Sequence, residues 1–152
     1  MRDNSDASLT STKGKTFQMG SLTSSEILAV VAEGIGEENI RQLVSYTALV
    51  QDRVPKGKIC REVRFFANPN SDRLLNEICE EVIKKYNLKD ARLFHVIGSM
   101  KIDDDQILAI AVGEDRKQTF KAIQEMVVGA KAQAGIRGVY ILSDGTELEI
   151  PP

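Results

Sequence analysis

The chain has 152 residues, enough for one domain with a real hydrophobic core. Its formal net charge of −2 and pI near 5.5 argue against nucleic-acid binding, and no apolar run reaches the roughly 18 residues of a membrane span. One histidine and two cysteines, without a CxxC pair, argue against a zinc site or a disulfide framework, so we expect a soluble, cytoplasmic protein without a bound metal or cofactor.

The N-terminal region divides into a polar tail and the start of a domain. Residues 1–15 are almost free of large apolar side chains and are predicted to be a disordered tail, which leaves 16–152 as a single domain. The alternation over 16–19 predicts a short first edge strand. Thr23 and Glu26 form a capping box, which predicts a helix that ends near Gly34.

The central region alternates strands and one strong helix. Residues 43–50 and 58–66 are predicted strands, separated by a Pro- and Gly-containing turn. Residues 68–71 cap the next helix, whose apolar side chains follow the helical period: Leu74, Leu75, Ile78, Cys79, Val82, Ile83 and Tyr86. Residues 91–97 and 106–112 are two further strands. The second is apolar nearly throughout, which indicates a central strand covered on both faces.

The C-terminal region predicts a long helix and a hairpin. The helix spans about 115–134, and its predicted buried side comprises Phe120, Ile123, Met126, Val127 and Ala130. Strands at 139–142 and 147–150 flank Asp144-Gly145, a strong turn signal. The order of elements predicts an α/β (α+β) domain of the α/β-hammerhead type, with a mixed or antiparallel sheet, three helices and a C-terminal β-hairpin.

Four segments together resemble the large, catalytic subunit of molybdopterin synthase over about residues 25–150. They are Leu43–Val50, Val63–Asn68, His95–Gly98, and the final helix and hairpin with Asp115-Arg116, Phe120, Lys131 and Asp144-Gly145. Each motif is weak by itself, but their order and spacing are specific. The chain therefore resembles a divergent member of that family.

The resemblance implies a sulfurtransferase of molybdenum cofactor biosynthesis. Such enzymes convert a cyclic pyranopterin phosphate into molybdopterin with sulfur from a thiocarboxylate. A small ubiquitin-like subunit carries that thiocarboxylate on its Gly-Gly tail, and the large subunits form a homodimer. The resemblance assigns the catalytic role to Lys131, whose ammonium would hold the tail and stabilise the developing oxyanion.

The chain departs from the family pattern at several pocket positions. The family arginine after the first core strand is Gln51 here, and the histidine before Arg116 is Asp115. A family tryptophan falls on Arg137 and a second active-site lysine on Gly138. The candidate substrate-binding residues are therefore Gln51, Arg53, Arg116 and Arg137.

Helix geometry makes a separate prediction about the assembly. Fifteen residues separate Arg116 from Lys131, or roughly 22 Å along one helix, so the two side chains cannot share a small site within one subunit. A shared site requires Arg116 of a neighbouring chain in a two-fold dimer. Lys131 lies only about 20° around the helix from Phe120, at the edge of the predicted apolar face.

Simpler interpretations remain open at this stage. The runner-up is a non-catalytic dimeric interaction module that kept the fold and binds a ubiquitin-like partner, and a third is a small-anion-binding protein. Locally, His95 fits a structural histidine and Cys79 an inert core thiol. Cys60 has no neighbour that guarantees a thiolate, and 103–105 fits a solvated acidic loop.

Overall fold

A computed structural model describes residues 12–21 and 23–151. A short 3-10 turn, Glu37–Asn39, also follows the first helix. The helices and strands in chain order are β1 Gly14–Gln18, α1 Ser24–Ile35, β2 Gln42–Leu49, β3 Cys60–Phe66, α2 Ser71–Tyr86, β4 Asp90–Met100, β5 Asp105–Gly113, α3 Arg116–Ala132, β6 Arg137–Leu142 and β7 Glu147–Glu149.

The strands form one seven-stranded sheet in the order β2-β5-β4-β3-β6-β7, with β1 paired to β4. The β1–β4 pairing is parallel and all the others are antiparallel. The predicted fold class, with a mixed sheet, three helices and a C-terminal hairpin, is confirmed. No helix in the described ranges is long and apolar enough to cross a membrane.

The predicted tail, 1–15, lies mostly outside the described residues, but its end differs from the prediction. Gly14 and Lys15 already belong to β1, which pairs with β4 from Leu93 to Ile97. A Cβ on Gly14 would lie 2.3 Å from the backbone of Leu75, so only glycine permits this approach to α2. The domain thus begins before residue 16, because backbone pairing and close packing order a segment whose composition is polar.

Strand β5 separates the two main layers of the core. Ile107, Ala109 and Ala111 pack under α2 and α3. Leu108 and Ile110 alternate with them and pack on the other face against α1. Burial on both faces confirms the prediction of a central strand and explains its nearly continuous apolar sequence.

The predicted helix cap and hairpin turn are both present in the structure. Thr23 and Glu26 form the predicted capping box. The predicted hairpin turn is present: Leu142 pairs with Thr146 and leaves a three-residue loop with Gly145 at φ +87°. The acidic run at 103–105 has a structural use: a carboxylate oxygen of Asp105 accepts the Ser24 amide at the start of α1, at 2.9 Å.

The predicted buried face of α3 is wrong at Phe120. Ile123, Met126 and Ala130 are buried as expected, but 57% of Phe120 is exposed, as is 57% of Val128. These two side chains are eight residues apart, about 80° around the helix axis, so they share one broad outer face of the helix. The apolar residues of α3 therefore belong to two faces. One packs in the core, and the other is exposed to solvent in the single subunit.

Candidate active site

A cavity of about 60 Å³ lies between the C-terminal end of α3, the segment after β2, and strands β4 and β6. Its wall combines cationic, aromatic and amide side chains. The residues that line it are Tyr46, Ala48, Leu49, Val50, Gln51, Arg53, Phe65, His95, Gln106, Lys131, Ile136, Gly138, Tyr140, Ile150 and Pro151. Three of the predicted site residues, Gln51, Arg53 and Lys131, therefore come together here.

Lys131 reaches this cavity from the last turn of α3. Lys131 is exposed overall and also lines the cavity. Within the described part of the chain, no carboxylate lies within ion-pair distance of its amine. The cavity wall therefore includes a cation that forms no ion pair with any acidic side chain of residues 12–21 and 23–151.

The segment after β2 is held in place by Tyr140 of β6. The Tyr140 hydroxyl donates to the Gln51 carbonyl oxygen at 2.6 Å, and burial raises the pKa of Tyr140, which keeps it a donor. The Gln51 side-chain oxygen in turn accepts from Nε of Arg53 at 2.9 Å. This chain of contacts places the Arg53 guanidinium beside Gln51 in the cavity wall.

Gly138 lies where the cavity wall has no room for a side chain. A Cβ at this position would lie 2.6 Å from the Phe65 ring and 3.1 Å from Ile150. Phe65 is 5% exposed and packed in the core, so its ring cannot easily yield this space. The ring of Phe65 thus fills the part of the cavity wall from which a side chain at 138 would project.

Arg116 and Arg137 do not line the cavity. Arg137 binds Glu149 at 2.6 Å, and its guanidinium lies 5.6 Å from the centre of the Phe66 ring. Arg116 is exposed at the opposite end of α3. The Asp115 carboxylate accepts the Gln118 amide at 2.9 Å, so this aspartate caps its own helix.

His95 is the cavity residue whose environment the sequence did not indicate. It is 2% exposed, and Nδ1 lies 2.7 Å from the Val96 carbonyl oxygen. Burial, with a smaller contribution from the Lys131 charge, lowers the pKa of His95 to about 4 despite that hydrogen bond. A lone histidine in a strand carries no signal that it will line a cavity.

Neither cysteine provides a reactive thiolate. Burial raises the pKa of Cys79 to about 12, as expected for an inert core thiol. Burial also raises the pKa of Cys60, whose Sγ donates to the Glu62 carbonyl oxygen at 3.3 Å. The sulfur of the reaction implied by the resemblance must therefore come from elsewhere.

A shallow groove of about 590 Å³ runs along the outer surface of α3. Its floor is mainly apolar and its rim carries two lysines. The lining residues are Tyr46, Lys117, Phe120, Lys121, Ile123, Gln124, Val127 and Val128. Tyr46 also lines the cavity, so the groove and the candidate site share one wall residue.

Comparisons with known proteins agree with this architecture. The chain is similar in structure to molybdopterin synthase from Staphylococcus aureus, with a TM-score of 0.78 and 19% identity over 92% of this chain and 98% of that one. A MoaE protein from Burkholderia ambifaria MC40-6 matches with a TM-score of 0.67 and 17% identity, over 90% and 88% of the two chains. These identities establish a shared fold.

A third similar structure contains a second protein. It is a complex of subunits 1 and 2 of molybdopterin-converting factor from Helicobacter pylori 26695, with a TM-score of 0.70 and 16% identity over 89% of this chain and 88% of that one. The sequence profile of the MoaE protein family matches residues 19–133, from the end of β1 through α3. This chain therefore belongs to the MoaE family, the large subunits of molybdopterin synthase, and has a role in molybdenum cofactor biosynthesis.

Proposed function

We propose that this protein transfers sulfur from the C-terminal thiocarboxylate of a small ubiquitin-like subunit to a cyclic pyranopterin phosphate. The observation that supports this most is the unneutralised Lys131 in a cavity that also contains Arg53. An ammonium there attracts the terminal thiocarboxylate. Once the tail sulfur is bonded to the pterin, water attacks the acyl carbon, and the ammonium stabilises the tetrahedral oxyanion that forms. The oxyanion collapses as the bond between the acyl carbon and sulfur breaks, which leaves the sulfur on the pterin and a carboxylate on the tail.

The size of the cavity suits the narrow end of a peptide. The cavity opens to solvent, and its volume of about 60 Å³ holds a few water molecules, so a terminal glycine and its carboxylate can enter. A fused pterin ring system is too large for this space. We therefore place the pterin phosphate at the mouth, where Arg53 and Gln51 supply a cation and an amide.

We further propose that the groove along α3 is the homodimer interface. Phe120 and Val128 lie four residues before and four residues after Gln124. Farther out, Arg116 lies eight residues before Gln124 and Lys131 lies seven residues after it. A two-fold axis near Gln124 therefore packs Phe120 against the partner's Val128. The same operation brings the partner's Arg116 beside Lys131.

This arrangement would complete the candidate site. It covers the two most exposed apolar side chains of α3, and Tyr46 links that interface to the cavity. The partner's Arg116 would then supply the phosphate-binding charge that Arg137 does not provide. The Asp115 carboxylate accepts the amide of Gln118 in its own helix, which offsets part of its negative charge.

Conversion of cyclic pyranopterin phosphate, with the thiocarboxylated small subunit, tests the proposal directly. We expect Lys131→Ala to lower the rate about a hundredfold or more, because an oxyanion loses its stabilising cation. Lys84→Ala is the matched control, since Lys84 is an exposed lysine in the last turn of α2. An equal rate for wild type and Lys131→Ala would refute the catalytic assignment.

A non-catalytic interaction module is the second candidate, and Gly138 is the observation that favours it. The absence of a side chain there removes one of the two lysines that the related enzymes use. A protein of this kind would bind the small subunit through the same cavity without converting the pterin. Tight tail binding together with no turnover by the wild-type protein would select this alternative.

A further inference from the structure

The segment between β2 and β3, residues 50–59, brings Arg53 to the cavity wall. The segment belongs to no helix or strand, and Arg53 itself is exposed. An arginine side chain in such a segment has many orientations available, and restricting them when a ligand binds costs conformational entropy. The value of Arg53 as an anion-binding group therefore depends on what anchors the segment.

Two backbone anchors hold the segment at its start. The amide and the carbonyl oxygen of Val50 both pair with the backbone of residues 103–104, at 2.8 and 2.9 Å. At the next residue, the Tyr140 hydroxyl donates to the carbonyl oxygen of Gln51 at 2.6 Å. Of the hydrogen bonds that tie this segment to other described parts of the chain, the one from Tyr140 lies nearest in sequence to Arg53.

The phenol of Tyr140 is itself fixed by the core. Tyr140 is 4% exposed, and in β6 it lies opposite Val63 of β3 and Leu148 of β7. All three side chains belong to the same hydrophobic cluster. A buried ring that packs between two neighbouring strands has little freedom to rotate, so its hydroxyl stays in one place. The position of the Gln51 backbone is therefore set by the register of the sheet.

The side chain of Gln51 extends this order to the guanidinium. Its amide oxygen accepts a hydrogen bond from Nε of Arg53 at 2.9 Å. Nε carries one of the five guanidinium protons, so the four protons on the two terminal nitrogens remain for a ligand. Those two nitrogens form the fork that binds a phosphate or carboxylate through two parallel hydrogen bonds.

We propose that Tyr140 is a positioning residue for Arg53: its hydroxyl fixes the Gln51 backbone, and Gln51 then presents the guanidinium to an anionic group of the substrate at the cavity mouth. The identity of that group, the phosphate of the pterin, rests on the proposed function. The relay acts on affinity, because an arginine that is already oriented loses less entropy on binding. Lys131 is not part of these contacts, so the chemical step should be largely unaffected.

The ring and the hydroxyl of Tyr140 can be tested separately. Val54, which follows Arg53, packs against the same hydrophobic cluster, so the ring also supports the segment through apolar contacts. Tyr140→Phe retains the ring and removes the hydroxyl. Tyr86→Phe is the matched control, because the Tyr86 hydroxyl is also hydrogen-bonded, to Glu125 at 3.1 Å, but Tyr86 lies outside the cavity.

Steady-state kinetics with the thiocarboxylated small subunit test the effect on the substrate. We expect Tyr140→Phe to raise KM for cyclic pyranopterin phosphate about fivefold with little change in kcat, since a neutral hydrogen bond is worth roughly this factor. Tyr86→Phe should behave as wild type. In an Arg53→Ala background, Tyr140→Phe should have no further effect, because no guanidinium remains to be oriented. An undiminished effect in that background, or an unchanged KM in a folded Tyr140→Phe, would overturn the proposal.

Nitrogen NMR of the arginine side chains tests the relay without turnover. In wild type, the Nε proton of Arg53 should exchange with water more slowly than that of the exposed Arg61. Tyr140→Phe should accelerate the exchange of Arg53, and Tyr86→Phe should not. Equal rates for Arg53 in wild type and Tyr140→Phe would contradict the relay even if KM rises. If wild type does not convert the pterin, the proposed function fails, while these rates still decide the relay.

A second pair of measurements replaces Tyr140→Phe if that variant does not fold. In wild-type protein with ¹³C at Cζ of tyrosine, the Tyr140 hydroxyl proton should exchange more slowly than that of Tyr46, which is 39% exposed. Gln51→Ala removes the second link of the relay at an exposed position and should raise KM by about the same fivefold factor. A Tyr140 hydroxyl that exchanges as fast as that of Tyr46, or an unchanged KM for Gln51→Ala, would overturn the proposal.

Discussion

The guanidinium Nε of Arg53 lies 2.9 Å from the side-chain oxygen of Gln51, and both residues line the cavity that contains Lys131. The family resemblance implies an arginine at the position of Gln51. Here the Gln51 amide oxygen instead accepts a hydrogen bond from Arg53, and Arg53 is the arginine among the residues that line the cavity.

This pairing predicts how the two residues depend on each other. Arg53→Ala should lower kcat/KM for the pterin phosphate about tenfold, because one charged hydrogen bond to the phosphate is lost. Adding Gln51→Arg to that variant should restore most of the loss. Arg61→Ala, which removes an exposed arginine away from the cavity, is the control. Failure of the second substitution to rescue would show that Arg53 acts in another way.

The α3 groove predicts a defined effect on assembly. Phe120→Glu places a charge at the centre of the proposed interface and should raise the dimer dissociation constant at least tenfold. Analytical ultracentrifugation over a concentration series measures this. Ile59→Glu is the matched control, since Ile59 is 70% exposed but lies outside the groove. A wild-type protein that is monomeric at all concentrations would contradict the interface.

Mixed dimers test whether two subunits share one site. Lys131→Ala and Arg116→Ala homodimers should each be nearly inactive, because both of their sites lack one cation. A mixed dimer contains one intact site, so equal amounts after subunit exchange should recover roughly a quarter of wild-type activity. Activity that stays at the level of the separate variants would show that Arg116 does not act across the interface.

His95 predicts a loss of stability in mild acid. Its pKa is about 4 in the folded protein and 6.5 in the unfolded chain, so the unfolded state binds the proton first as pH falls. The free energy of unfolding should therefore decrease between pH 6.5 and 4, by at most about 3 kcal/mol from this group. Urea denaturation at several pH values, compared with His95→Gln, isolates this part. Identical pH profiles for the two proteins would contradict the assignment.

The sequence predicted the elements and the family well, because both depend on local patterns. The capping box at Thr23, the apolar period of α2 and the turn at Gly145 follow from short-range chemistry. It was wrong about Phe120, because helical periodicity identifies apolar faces but not what covers them. It also left out β1 before residue 16, whose order comes from pairing with a distant strand.

The candidate site was only partly accessible from the sequence. Lys131, Gln51 and Arg53 were predicted and do lie together, whereas Arg137 was predicted and is instead held by Glu149. Arg137 and Glu149 are twelve residues apart and meet because of the register of the β6–β7 hairpin. A short sequence motif does not specify that register. The sequence did not indicate that His95 is buried or that it packs against the Phe65 ring; both follow from the tertiary structure.

The amino-acid sequence by itself determined the order of helices and strands, the family, and the presence of a lysine near the end of the last helix. The tertiary structure decided which charges remain unneutralised, which side chains fill the space left at Gly138, and which apolar face stays open. The physical reason is the sequence distance over which each interaction acts. Capping, turns and periodicity act over a few residues, while burial and electrostatic environment depend on atoms that only the folded chain brings together.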